Sequence, residues 1–142
     1  MNERWRRPES VLVVVYTSSL EFLLLERVRP PGFWQSVTGT LEWGETPAQA
    51  ARRELREETG LSTVGLRDGE CAQRFAILPE WRSRYAADVD TNLEHVWYLE
   101  LPAIVAVTLN PAEHSRYDWL GLDAALERVS SWTNRDAIAA CR

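Results

Sequence analysis

From Val11 to Tyr16 every side chain is aliphatic or aromatic, and most are β-branched. A short unbroken run of that kind predicts a central strand covered on both faces. Phe22 to Leu25 reads as its hairpin partner across the turn Thr17–Glu21. Pro30-Pro31-Gly32 then breaks the chain into a loop before Phe33 to Thr38. His95 to Leu101 alternates and predicts a strand stopped by Pro102, and Cys71 to Leu78 predicts another. Ile104 to Leu109 and the short Tyr117–Leu120 read as further strands, and Pro79 to Asn92, polar and mixed, as a long loop.

Helical signals are clearest after Glu45. Thr46 suits an N-cap, Pro47 the first helical position, and Gln49 completes a capping box. Ala48, Ala51, Leu55 and Thr59 form the stripe expected to face the core, with Gly60 as the C-terminal cap. Two shorter helices close the chain, Leu122 to Val129 and Asn134 to Cys141, the second capped by Thr133. Mixed strands with helices before and after predict an α/β chain built as a three-layer α/β/α sandwich. At 142 residues the expectation is one domain spanning 1–142.

The helix at residues 47–59 carries an anomaly. Glu54, Glu57 and Glu58 fall at i, i+3 and i+4, close to the C-terminal end of the macrodipole. Like charges so spaced cost about 0.2–0.5 kcal/mol per pair in an isolated helix. Carboxylate clusters of this kind suit hard divalent cations, Mg²⁺ or Mn²⁺, which typically act on phosphates. Glu54 and Glu58, one turn apart, reach one ion together. Glu57 is then a third ligand or a base. Glu45 either completes the shell or orients Arg53, and Arg53 pairs with Glu45 or Glu57. Gly39 lets the backbone approach the site.

The run Gly39-x5-Glu45-x7-Arg53-Glu54-Leu55-x-Glu57-Glu58-x-Gly60-Leu61 matches the Nudix box, residues 39–61, at every defined position. The chain therefore resembles the Nudix hydrolases, which implies a Nudix-type α/β/α sandwich with a mixed sheet and metal-dependent cleavage of a phosphoanhydride. Beyond the box it resembles the dihydroneopterin triphosphate pyrophosphatases of folate biosynthesis, also described as dATP pyrophosphohydrolases. The segments that carry this are Arg7-Pro8, Phe33-Trp-Gln-Ser-Val-Thr-Gly39, Arg84-Tyr85 with Thr91-Asn92, Glu113-His114 with Tyr117 and Trp119-Leu120, and Ser131-Trp-x-Asn-Arg135.

That resemblance implies Glu54, Glu58 and Glu113 as metal ligands. It implies substrate contacts at Arg6, Arg27, Thr38, the strand Phe75-Ala76-Ile77-Leu78 and Ser131, with the triphosphate of a small molecule as substrate. Trp34 and Trp132 are candidates to frame a flat ring, and His114 is a candidate supporting group or base. His95 reads as a satisfied sheet histidine. Two departures stand out: Trp43 occupies a position often acidic in the subfamily, and Phe75–Leu78 lacks the carboxylate expected there.

Composition narrows this further. A net charge of −5 argues against a nucleic-acid-coating protein, although all 16 basic residues are arginine, the better phosphate fork. A codon bias is the better explanation of that preference, which carries little functional weight. Two cysteines without a CxxC pair fit a reducing, cytoplasmic setting. The start, Met1 to Pro8, is polar, and no apolar run is long enough to span a membrane. The same metal site also serves a general (d)NTP pyrophosphohydrolase acting on dATP. A non-catalytic nucleotide-binding module would be expected to lose box carboxylates, and this chain keeps them all. Oligomeric state is not encoded legibly.

Overall fold

The computed structural model describes residues 4–141, so Met1–Glu3 of the polar start and Arg142 lie outside it. The chain forms β1 (Glu9–Thr17), β2 (Glu21–Arg27), β3 (Trp34–Gln35), β4 (Val37–Thr40), α1 (Pro47–Thr59), β5 (Arg67–Ala76), a 3₁₀ turn (Pro79–Arg84), β6 (Thr91–Leu101), β7 (His114–Gly121), α2 (Leu122–Arg128) and α3 (Trp132–Ala139). The sheet runs β3-β2-β1-β6-β5, with β4 also paired to β1 and β7 to β2. It is mixed: β1 and β6 are parallel, and the remaining pairs are antiparallel.

β1 is the expected central strand, buried from Ser10 to Thr17. Val11, Val13 and Val15 pack with Ala50, Ala51 and Leu55 of α1 on one face. Leu12, Val14 and Tyr16 pack with Ala125 of α2 and Ala137 and Ile138 of α3 on the other. The three-layer sandwich follows from that double burial. Ala50 belongs to the buried stripe of α1, while Ala48, expected there, is only half-buried.

On one flank β1 changes neighbours along its length. Its first half pairs with β4, Ser10↔Thr40 through Val13↔Val37. The hairpin with β2 pairs only at Tyr16↔Phe22, and β2 spends most of its length against β7. The chain crosses from β3 on β2 to β4 on β1 through Ser36. The sheet is therefore split at this point, and the split lies beside α1.

Four expectations are corrected. Ile104–Leu109 is not a strand. Its backbone serves other ends: Thr108 N–H donates to the Thr59 carbonyl at the end of α1, and the Val105 carbonyl accepts from the Trp119 indole. β5 begins earlier than Cys71, at Arg67, with a bulge between Asp68 and Cys71, and stops at Ala76. The last helix is capped by Ser131, whose hydroxyl accepts from Asn134 N–H, and Thr133 lies inside it. The segment read as a long loop contains the 3₁₀ turn. Among the described residues no helix is long and apolar enough to cross a membrane.

Candidate active site

α1 starts and stops as its sequence dictates. Thr46 and Gln49 form the capping box, and Gly60, at φ +72°, donates its N–H to the Arg56 carbonyl. Between these ends the three glutamates separate. Glu54 and Glu58, about 40° apart around the axis, turn toward β4 and are buried, whereas Glu57 is exposed. The Glu54 carboxylate sits directly against Gly39 of β4, in the volume a Cβ would fill. Gly39 is thus a close-approach glycine within a strand.

Glu58 is 1% exposed, and neither carboxylate oxygen has a hydrogen-bond partner of good geometry. Burial pushes its pKa well above the usual carboxylate range, the Glu54 and Glu113 carboxylates push it further, and the Thr38 backbone opposes them. A buried carboxylate without a hydrogen-bond partner, repelled by a second one beside it, is costly unless a cation compensates it. Among the described residues no three acidic, histidine or cysteine side chains converge into a closed metal cage. Two carboxylates suit an ion such as Mg²⁺, which is commonly held by one or two carboxylates and takes water and substrate phosphate for the rest. The donor set fits a divalent cation.

Arg53 holds the approach to this pair. Its guanidinium grips both oxygens of Glu45 at 2.8 Å and donates to the Thr40 carbonyl at 3.1 Å. It also donates to Glu54, and reaches Glu57 only at 3.5 Å. The Glu45 hydrogen bonds, with the nearby Glu54 charge, raise the Arg53 pKa despite partial burial, and the same bonds hold Glu45 below the usual carboxylate range. Of the two pairings expected for Arg53, the one with Glu45 dominates. Glu45 has both oxygens committed, one also to Glu42 N–H.

Glu113, exposed just before β7, contributes charge to Glu58 and to Arg27. Next to it His114 is buried, with Nε2 3.1 Å from the Gln35 amide nitrogen and 3.9 Å from Glu58 Oε1. Burial first, and then the Arg27 charge, bring its pKa down to about 4, so the ring is neutral near pH 7. Arg27 ends β2 with its guanidinium 5.5 Å from the centre of the Trp81 ring and 5.9 Å from that of Phe33. Burial lowers its pKa, the nearby Arg84 and Arg6 charges add to that, and Glu113 and Glu58 oppose them. Arg6 N–H donates to the Arg84 carbonyl, tying the N-terminal segment to the 3₁₀ turn. Arg6 and Arg84 therefore gather near Arg27, which itself feels the Glu58 and Glu113 charges.

The remaining expected contacts divide. Thr38 lies on the sheet face opposite Glu54, its hydroxyl donating to the Val11 carbonyl. Phe75 is half-buried and Ile77 buried, while Ala76 and Leu78 point outward. Ser131 caps α3, 3.1 Å from the Thr133 hydroxyl. Trp34 is 7% exposed in the core under α2 and α3, with the Arg116 and Arg128 guanidiniums over its ring. The strand alternation turns it into the core face beneath α2 and α3 and leaves Gln35 facing His114. Trp132 is exposed. His95 is satisfied by Glu9 at 2.7 Å, as expected. Gln35, beside His114, and Arg84, beside Arg27, join the site without being among the expected residues; the alternation Trp34-Gln35-Ser36 is the sequence signal for Gln35.

Comparison with known proteins agrees with this geometry. The chain is 41% identical over 139 residues to the dihydroneopterin triphosphate diphosphatase of Escherichia coli K12, covering 94% of this chain and 91% of that protein. It is 36% identical to the enzyme of the same name from Haemophilus influenzae, over 95% of this chain and 87% of that one. The solved E. coli dihydroneopterin triphosphate pyrophosphohydrolase superposes with a TM-score of 0.89 at 40% identity, covering 96% of each chain. The NUDIX domain profile matches residues 6–141, and the chain belongs to the Nudix family.

Proposed function

We propose that residues 1–142 act as one catalytic domain that hydrolyses 7,8-dihydroneopterin 3′-triphosphate to the monophosphate and pyrophosphate, a cytoplasmic step toward folate. The observation that carries the chemistry is the buried, partnerless Glu58 carboxylate beside Glu54. The substrate follows from the relatives of that name, which align over nearly the whole chain. The free cysteines Cys71 and Cys141 support a reducing compartment.

Glu54 and Glu58 would hold the ion, with Glu113 at the rim. Mg²⁺ is the expected ion and Mn²⁺ an alternative; when bound it neutralises phosphate charge and acidifies water. Arg27, with Arg6 and Arg84 nearby, neutralises and orients the triphosphate. Glu45 works through Arg53, whose fork fixes Glu54. Glu57 is exposed and only loosely held, so it is available to take the proton from the attacking water or to act as a further ligand. His114, neutral and behind Glu58, positions it.

The test is hydrolysis by the purified chain with Mg²⁺ of dihydroneopterin triphosphate, dATP, GTP and ADP-ribose, with pyrophosphate and phosphate scored separately. Pyrophosphate release that favours the pterin is the expected result. Equal or faster turnover of dATP would overturn the substrate and leave a general (d)NTP pyrophosphohydrolase. No pyrophosphate from any triphosphate would overturn the reaction.

A further inference from the structure

β6 enters the sheet four residues before His95, and its first turns carry an unexpected group. Asn92, Glu94, Val96 and Tyr98 alternate inward, toward α2 and α3. Glu94 is 5% exposed, and its Oε1 has no hydrogen-bond partner. Its other attachment is to the Thr133 side chain on α3, and no countercharge acts on it.

The groups around it are polar and, apart from the half-buried Gln73, equally buried. Asn92 donates to the Ser10 hydroxyl at 2.8 Å. Asn134 and Ser36 hydrogen-bond reciprocally at 2.7 and 2.8 Å. Gln73, directly opposite Glu94 on β5, donates to the Thr133 carbonyl at 3.1 Å. This is a polar island on a sheet face that is otherwise packed with Leu12, Val14 and Val96. A few converging polar groups in apolar surroundings are the polar part of what a small-molecule site needs.

Its borders coincide with the expected substrate contacts. Thr38 is on the same face, paired with Leu12. Phe75 stands opposite Asn92. Ser131 is hydrogen-bonded to Thr133.

We propose that Glu94 is the specificity-determining residue for the ring, accepting the two adjacent N–H donors of a 2-amino-4-oxo-pyrimidine edge, oriented by its bond to Thr133. This rests on the proposed pyrophosphohydrolase reading of the site and specifies its substrate class. A pterin offers that edge through N3–H and the 2-amino group, and guanine offers the same pair. A carboxylate presents two acceptors at matching spacing, giving a charge-assisted bidentate contact. Adenine instead presents one donor and the N1 lone pair, which an ionised carboxylate repels. Burial lifts the Glu94 pKa to about 7, so the group ionises readily once two donors meet it.

The experiment compares kcat/KM of wild type, Glu94→Gln and Glu94→Asp, with Mg²⁺, on dihydroneopterin triphosphate, GTP and dATP. Loss of a charge-assisted pair predicts that Glu94→Gln lowers kcat/KM by about 10- to 100-fold on the pterin and GTP, mainly through KM. Turnover of dATP should be unchanged or improved. Glu94→Asp, retracted by one methylene, should show the same ordering with a smaller loss, and it carries the test should Glu94→Gln not fold. Calorimetric binding of phosphate-free dihydroneopterin and guanosine, without metal, should weaken in parallel, while adenosine should not. An equal loss on all three triphosphates, or no loss on any, overturns the proposal. A wild type that fails on the pterin but prefers GTP to dATP would overturn the substrate proposed above and still support Glu94 as the reader of the edge.

Discussion

The Glu54 carboxylate occupies the space that a side chain at Gly39 would need. Strand β4 and helix α1 are therefore in contact through a functional group, and the glycine sets where that group sits. Gly39→Ala forces the carboxylate away from its position beside Glu58. The expected outcome is a metal requirement raised by about 10- to 100-fold, as for loss of a group that orients a ligand. The fold should survive, because the atom displaced is the end of a side chain and not backbone. Titrating Mg²⁺ against initial rate checks this. Shortening the partner in Gly39→Ala/Glu54→Asp should recover part of the loss, whereas strictly additive losses would show that the two positions do not share space.

Glu58 makes a prediction in which activity and stability move apart. Its ionised form is disfavoured by burial and by Glu54 and Glu113. Glu58→Gln removes that repulsion along with the ligand. Turnover should fall by on the order of 10²-fold or more, since ligand-held cations contribute several kcal/mol to such reactions. Stability in urea at pH 8 without divalent ions should be equal to or above that of wild type. Adding Mg²⁺ should raise wild-type stability and leave the variant unchanged. A variant that is clearly less stable than wild type in chelator would mean that Glu58 is a structural group.

These two sites show what the sequence made legible. The box glutamates, the capping box, Gly60 and the buried run of β1 were readable because each is a local rule: spacing on one helix, a cap, an uninterrupted apolar stretch. What was not legible depends on how strands align. The spacing sets Glu54 and Glu58 together, but not that β4 covers their side of α1 and leaves Glu57 exposed. Trp34 lies in a segment that marks the substrate family, yet strand parity sends its ring into the core. Ile104–Leu109 has strand composition but meets a helix end and an indole instead of a neighbouring strand. Glu94 precedes the visibly alternating run that starts at His95, and His95 is out of phase with the inward positions.

The Arg53 fork on Glu45 predicts that charge alone will not do. Arg53→Lys keeps the cation but loses one of two parallel bonds to Glu45 and the simultaneous reach to Thr40 and Glu54. A fall in kcat/KM of about 10- to 100-fold is expected, the range for groups that orient a metal ligand. Glu45→Gln should give a similar loss, and the double variant should be little worse than either single one. Full additivity in kcat/KM would assign Glu45 an independent role as ligand or base.

Glu94 also predicts a pH dependence of folding that is separate from its effect on substrate choice. Burial raises its pKa in the folded chain from 4.5 to about 7, with the Thr133 hydrogen bond opposing. Between these values the folded state holds more protons on this group than the unfolded state does. Stability from this group is therefore present below pH 4.5 and lost as pH rises through 7, by about 3 kcal/mol in all, at 1.36 kcal/mol per unit. His114 acts in the opposite direction. Its pKa, lowered to about 4, makes the fold gain stability as pH rises from 4 toward 6.5. The wild-type curve alone mixes the two, so the informative quantity is the difference between wild type and Glu94→Gln, in which His114 cancels. Urea unfolding at pH 5 and pH 8 should show the variant gaining on wild type as the pH rises. A constant difference across that range would mean that Glu94 is hydrated in the free protein and ionises as an ordinary surface carboxylate.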